Sequence, residues 1–343
     1  MRISTVVLAL LLAPWFAAAQ DKIPPMPAAV SGNAVASLKS GTELFSFMGV
    51  GPRKTWDDVT SQVYILHLAS GKWEEGRAVP GVVGRIAASA AGARGQVFLM
   101  GGYVVDNHGI AGILSDVNVY VPPNHRWYAG KEMPTAVSNA VIGVNRDRYI
   151  YLVGGLSKNG PVNLVQLYDA EINVWIQATP LPGPAVFGHA GGIADDSIVY
   201  CDGATKGEAK DSFVASEGCW QGKIDRKDPA KIEWSKIASH PGDARFGMAA
   251  GGSEKERRIL FSGGSATPFD YRGIGLDGKA AEVSSYTFAY DVRGGKWQPL
   301  NDSTYDPRLQ ASGILSTPLG EMVLGGMVKG QAVTARVTVL MKK

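Results

Sequence analysis

One short pattern recurs along the chain and limits what it can fold into. An apolar run ends in a glycine pair, a polar connector leads to a second apolar run, and a tryptophan follows a turn. Residues 151–175, YLVGGLSKNGPVNLVQLYDAEINVW, carry it in full. The same order appears in VFLMGG (97–102) with DVNVYVPPNHRW ending at Trp127, and in ILFSGG (259–264) with YTFAYDVRGGKW ending at Trp297. ELFSFMGVG (43–51) leads to Trp73, and IVYCDG (198–203) leads to Trp234. A sixth copy, EMVLGG (321–326), is followed by ARVTVLMKK without a tryptophan. Counted at 49, 101, 154, 202, 263 and 325, the pairs lie 48 to 62 residues apart. A period of this length signals one supersecondary unit stacked several times.

Each unit holds four short runs. In the third they are NAVIGVN, YIYLVGG, LVQLYDA and VWIQAT. They are rich in β-branched and aromatic residues and separated by turn residues, which predicts a four-stranded antiparallel sheet. Such a sheet cannot bury both faces alone. Radial stacking buries them and leaves only short edges. The expected fold is therefore all-β, a six-bladed β-propeller forming one domain over residues 20–343. The approximate repeats are 28–80, 81–133, 134–182, 183–241, 242–300 and 301–343. The sixth copy lacks its tryptophan strand, and DKIPPMP (21–27) reads like the tail of a fourth strand, as KEMP (131–134) and ATPLP (178–182) do. Residues 21–27 are expected to close the last blade.

The totals narrow the class. The chain of 343 residues is 45% hydrophobic and 19% charged, as in an ordinary globular protein, and its 43 glycines suit a fold of many turns. Its formal net charge of +3 becomes +2 without Arg2, too little for a nucleic-acid surface, so no nucleic-acid partner is expected. MRISTVVLALLLAPWFAAAQ reads as a secretory signal peptide over residues 1–19, with cleavage after Ala19. No apolar run reaches the length of a membrane span, so membrane insertion is not expected and the product should be periplasmic or secreted. An exported chain can keep a disulfide. Cys201 and Cys219 fall at the end and start of adjacent antiparallel strands in the fourth repeat, where they can be joined.

In a propeller the first strand of each blade lines the central channel. Its start shares a face with the loop between strands two and three. Counting back about 15 residues from each glycine pair gives Asn33, Arg85, Asn139, His189, Gly247 and Gln310, five of them polar. The long connectors YVVDNHGIAGILSD, ATKGEAKDSFVASEG and SATPFDYRGIGLDGKAAEV fall on the same face. Loops on a rigid scaffold are where function concentrates, so a small-molecule pocket is expected at this mouth. Arg85, Arg245, Arg272 and Arg308 offer forked donors suited to carboxylates. Tyr103, Tyr271, Phe246 and Phe269 can stack on a sugar ring. Asp106, Asp270, Glu208 and His189 are acid–base candidates. Arg245 and Arg308 each follow an aspartate, in DAR and DPR, so they either bind an anionic group or pair locally with Asp243 and Asp306.

The glycine pairs with a tyrosine about seven positions before the tryptophan, as in Tyr120/Trp127, Tyr168/Trp175 and Tyr290/Trp297, resemble the kelch repeat over nearly the whole mature chain. Two kelch enzyme families offer comparison. Galactose oxidase needs a copper site with two Tyr, two His and a Cys crosslinked to one Tyr. The five scattered histidines here and the two paired cysteines do not match it, and no metal or other cofactor is expected. The bacterial sialic acid mutarotase (N-acetylneuraminate epimerase) family is similar in leader, length, six blades, N-terminal closure and a long fifth-blade insertion ending in GKW at 295–297. That resemblance implies a small sugar acid as ligand and mutarotation as the reaction. The family's acidic residue directly after the strand-two glycine is replaced here by Ala204, with Glu208 and Lys210 further along. A binding module without catalysis, for a glycan or a protein, and a scaffold with no small-molecule site are the alternatives.

Overall fold

The computed structural model describes residues 23–342 except 210–211, 301–305 and 312, so the leader and part of the 21–27 segment lie outside the described residues. Blades 1 to 5 are four-stranded antiparallel sheets over 34–76, 89–129, 141–178, 190–237 and 246–299. In blade 3 the strands are Val141–Asn145, Tyr149–Val153, Val165–Asp169 and Val174–Ala178, close to the four expected runs. Blade 6 shows three strands, Leu315–Thr317, Gly320–Leu324 and Val337–Lys342. The innermost strands touch one another in sequence and the sixth returns to the first, closing a six-bladed propeller.

These inner strands are built of Ala and Gly, as in SAAGA (89–93) and AGGIA (190–194). Backbones must approach closely there, and a Cβ on Gly252 would collide with the Ile193 carbonyl. The glycine pair has a related cause. Both members have positive φ in every blade: Met48-Gly49, Gly101-Gly102, Gly154-Gly155, Asp202-Gly203, Gly263-Gly264 and Gly325-Gly326. The first pair thus begins at Met48, one residue before the sequence count. The second glycine always donates its N–H to the next blade, to the carbonyls of Arg85, Val137, Val186, Arg245, Arg308 and Val30 in turn. A side chain at the second position would also clash within its own blade, since a Cβ on Gly203 would lie 2.7 Å from the His189 backbone nitrogen.

The tryptophans join the blades at the outside. Each indole donates to the tail of the preceding blade: Trp127 to Arg77 O, Trp175 to Lys131 O, Trp234 to Thr179 O and Trp297 to Ala238 O. Trp73 donates to Pro24 O at 3.0 Å, so residues near Pro24 occupy the tail position of blade 6. Met26 N–H reaches Ala335 O at 2.7 Å, just as Met133 reaches Ser115 O and Leu181 reaches Asn163 O in complete blades. Met26 and Val30 are buried with Met322 and Leu324. The N-terminus therefore closes the ring through an extended tail. Among the described residues this segment forms no regular strand.

The connectors between strands two and three form small hairpins over one face, Tyr103–Asp106 with Gly109–Ile113 and Ala204–Lys206 with Phe213–Ala215 among them. Cys201 and Cys219 are directly paired in the ladder below the second hairpin and form a disulfide, as the sequence implied. Among the described residues no helix is long and apolar enough to cross a membrane.

Candidate functional site

The channel mouth is rimmed by one backbone ring. Gly32, Ala87, Asn139, Gly188, Gly247 and Gln310 each donate an N–H to the preceding member's carbonyl, and Gly32 completes the circle on Gln310 at 3.0 Å. All six have left-handed φ. This ring is the true register of the column read from the sequence. Asn139, Gly247 and Gln310 were placed correctly. Asn33 and His189 are one residue past it and Arg85 is two before it, because the strands and turns differ in length between repeats.

That shift decides which candidates reach the ligand space. Val30, Arg85, Val137, Val186, Arg245 and Arg308 occupy one equivalent position, two residues before the ring, and none lines the cavity. Arg85, 1% exposed, forms a forked pair with Asp116 at 2.6 and 2.9 Å and donates to Gly101 O. Burial opposes ionisation of Asp116, but the Arg85 hydrogen bonds and charge outweigh it and hold the carboxyl below its ordinary range. Arg308 is buried and donates to Gly325 O, Arg336 O and Thr338 Oγ1, with Asp306 at 3.5 Å. Burial pushes its guanidinium down to about 10, still charged at neutral pH. Arg245 is buried with its guanidinium 5.7 Å from the Tyr286 ring. The side chains of these three arginines pack within their own blades instead of lining the pocket. Local pairing with Asp306 is therefore the correct reading for Arg308. Asn33 is likewise internal, donating to Ser46 Oγ at 2.8 Å, and Glu208 is exposed at a hairpin turn away from the cavity.

A cavity of about 700 Å³ opens above the ring, and it gathers the remaining candidates. Asn139, Gln310 and His189 lie at its floor, with Tyr103, Asp106, Phe246, Phe269, Asp270, Tyr271 and Arg272 around them. His189 is 6% exposed, stands edge-on to Tyr200, and has no hydrogen-bond partner on either ring nitrogen. Burial pushes its imidazole down to about 4. The Val153 backbone opposes this without outweighing it. The ring is thus neutral at pH 7, and both of its nitrogens are enclosed, with Gly154 of the neighbouring blade packed against the ring edge. Burial also raises the Tyr103 hydroxyl, which faces the Gln310 amide.

At the rim, Asp270 binds Arg272 through Nε at 2.7 Å and through its backbone N–H at 2.8 Å, and this hydrogen bonding raises the guanidinium above its usual range. Lys54 donates to the carbonyls of Arg272 and Gln331 at 3.0 Å, tying the first-blade loop to the fifth and sixth. Lys54 and Trp56 also line the cavity, on a first-blade loop that nothing in the sequence sets apart beside the longer connectors. A second missed pair lies below the blade-4 hairpin. Asp202, in the first position of its glycine pair, accepts from His240 Nε2 at 2.5 Å, from Arg245 N–H at 2.9 Å and from Gly218 N–H at 3.2 Å. Nothing in the local sequence joins Asp202 to a histidine so far along the chain.

The architecture and the repeated contacts define the fold, an all-β, six-bladed propeller whose seams carry the kelch pattern of glycine pair and tryptophan. A stretch of 136 residues, 39% of this chain, is 31% identical to Kelch-like protein 34 of Homo sapiens, and spans 20% of that relative's length. The chain is similar in fold to the solved structure of YjhT, with a TM-score of 0.72 over 92% of this chain and 96% of that one, at 17% identity. No protein-family model matches the chain.

Proposed function

We propose that the protein binds a small carbohydrate at the channel mouth and catalyses the interconversion of its anomers. One observation carries this reading: a cavity of about 700 Å³ whose lining brings Asn139, Gln310 and Tyr271 together with a buried, neutral His189. That volume is in the range of ligand sites, about 300–1,000 Å³. The amides of Asn139 and Gln310 suit ring hydroxyls, and Tyr271 suits a sugar face. With its ring turned toward the cavity, His189 accepts the anomeric hydroxyl proton as the ring C–O bond breaks and the anomeric carbon becomes a carbonyl. The broken bond's electron pair stays on the ring oxygen, and the imidazolium returns a proton to it. The reverse transfers close the ring on the other face. Burial that holds the imidazole neutral also makes its imidazolium a strong acid, which favours the return step.

A sugar acid would present its carboxylate to Arg272 and to the remaining donor of Lys54. Binding without catalysis is the second reading. It is favoured by the lack, among the described residues, of any carboxylate against His189. The disulfide is consistent with an oxidising compartment and with the export expected from the leader.

Thermal-shift and calorimetric titration with neutral sugars, uronic acids and sialic acid tests binding. Polarimetry of a freshly dissolved single anomer tests catalysis. We expect His189→Gln to bind the sugar but not speed anomer exchange. Binding by the wild-type protein without acceleration would leave the non-catalytic reading, and no binding by any sugar would end both.

A further inference from the structure

Three large exposed apolar side chains line one opening. Trp56, Ile110 and Leu276 are 51%, 57% and 55% exposed and all line the mouth of the cavity. They come from different blades: the first-blade loop, the second-blade hairpin Tyr103–Asp106/Gly109–Ile113, and the fifth-blade insertion. Three unrelated segments that converge apolar groups on a single opening form an interaction surface, since solvated apolar residues otherwise scatter. Of the charged groups between them, Arg272 pairs with Asp270 and Lys54 gives two of its three donors to carbonyls. Polarity is therefore graded along the cavity. The floor offers the amides of Asn139 and Gln310 beside the buried imidazole of His189, and the rim offers hydrocarbon and an indole. A single sugar ring on the floor leaves most of the 700 Å³ unfilled.

We infer that the ligand is an amphiphilic sugar: a ring with a free anomeric centre carrying an apolar acyl or aryl substituent on a remote hydroxyl. This inference rests on the carbohydrate reading and adds the substituent to it. The sugar lies on the floor with its anomeric carbon toward His189, and the substituent points outward against Trp56, Ile110 and Leu276. Burial of that group is driven by apolar contact, which requires no further polar partner at the rim.

The test compares D-glucose, D-galactose and sialic acid with the benzoate of each on its primary hydroxyl, by calorimetry on the full chain. For the sugar that binds, the benzoate should bind at least about tenfold tighter, and Trp56 fluorescence should change with the benzoate alone. Trp56→Ala and Leu276→Ala should remove that advantage and leave the parent sugar's affinity unchanged. Trp56→Phe should keep most of it, which separates loss of contact from loss of fold. Equal affinity for parent sugar and benzoate overturns the inference while the carbohydrate reading stands. Failure of every parent sugar and every benzoate to bind overturns both. Benzyl alcohol binding as tightly as the benzoates overturns the amphiphile, because the sugar would then contribute nothing.

Discussion

Asn139 and Gln310 both hold φ at 51° in a ring whose other members include three glycines. A side chain in this conformation costs stability, more for glutamine than for asparagine, whose short amide tolerates it. Such strain points to a task for the side chain. We expect Asn139→Gly and Gln310→Gly each to raise stability by about 0.5–1 kcal/mol, the larger gain at Gln310, while weakening sugar binding. Urea midpoints and calorimetry on the same variants check it, and unchanged affinity would remove the amides from the site. His189 gives a pH prediction. Its folded pKa, about 4, lies below the unfolded value of about 6.5, so its contribution is full above pH 6.5 and is lost as pH falls toward 4. The loss is about 3 kcal/mol, and His189→Gln should flatten that part of the stability profile. His189, Asn139 and Gln310 were legible because an inner-strand start can be counted from its glycine pair. The arginines were misread because the position two residues before the ring turns its side chain into its own blade and not toward the mouth. Arg85 was counted into the column from that position, and Arg245 and Arg308 were counted there correctly but taken to face the ligand.

The blade-4 hairpin shows what an element needs to hold a loop in place. Its stem is joined by the Cys201–Cys219 disulfide, and beside it Asp202 receives His240, Arg245 N–H and Gly218 N–H. The loop it supports carries Phe213 to the cavity wall. Both nitrogens of His240 face acceptors, Asp202 and the Pro241 carbonyl, and its ring stacks on Phe288 at 4.5 Å. Burial opposes the charge, but the bond and charge of Asp202 outweigh it and raise the imidazole above its ordinary range. That stabilisation is fully present below the unfolded pKa and is lost as pH rises through the folded one. Asp202→Asn keeps a residue that tolerates positive φ while removing the charge. We expect it to cost roughly 3–5 kcal/mol near pH 6, because it leaves His240 buried without its counter-ion, and to abolish the loss of stability on the alkaline side. A variant that retains the wild-type pH profile would show that the pair does not titrate. The disulfide could be read from the sequence because both cysteines fall at the ends of adjacent strands. The His240–Asp202 pair could not, because only the third dimension brings them together.

At the scale of the whole molecule, six equivalent seams hold the ring, and only one joins the two ends of the chain. Glycine pairs and tryptophans announced the blades because both serve contacts repeated at every seam, the N–H passed to the next blade and the indole passed back. Closure was legible only by analogy with KEMP and ATPLP, and the described residues bear out the tail but show no paired strand there. In a closed ring the last seam restrains all the others, whereas an open array loses order from its ends. Deleting residues 20–30 removes the Pro24 acceptor of Trp73, the Met26 bond to Ala335 O and the burial of Met26 and Val30 against blade 6. At about 1.5–3 kcal/mol per buried apolar side chain, with about 1 kcal/mol for each hydrogen bond, the loss is roughly 5 kcal/mol or more. For a chain of this size that lowers Tm by on the order of 10 °C. Trp175→Phe, which removes one indole bond at an ordinary seam, supplies the control and should cost only about 1 kcal/mol. Calorimetric scans of both variants decide the matter. A deletion that melts with the wild-type midpoint, or no lower than Trp175→Phe, would show that the N-terminal tail does not hold the ring shut.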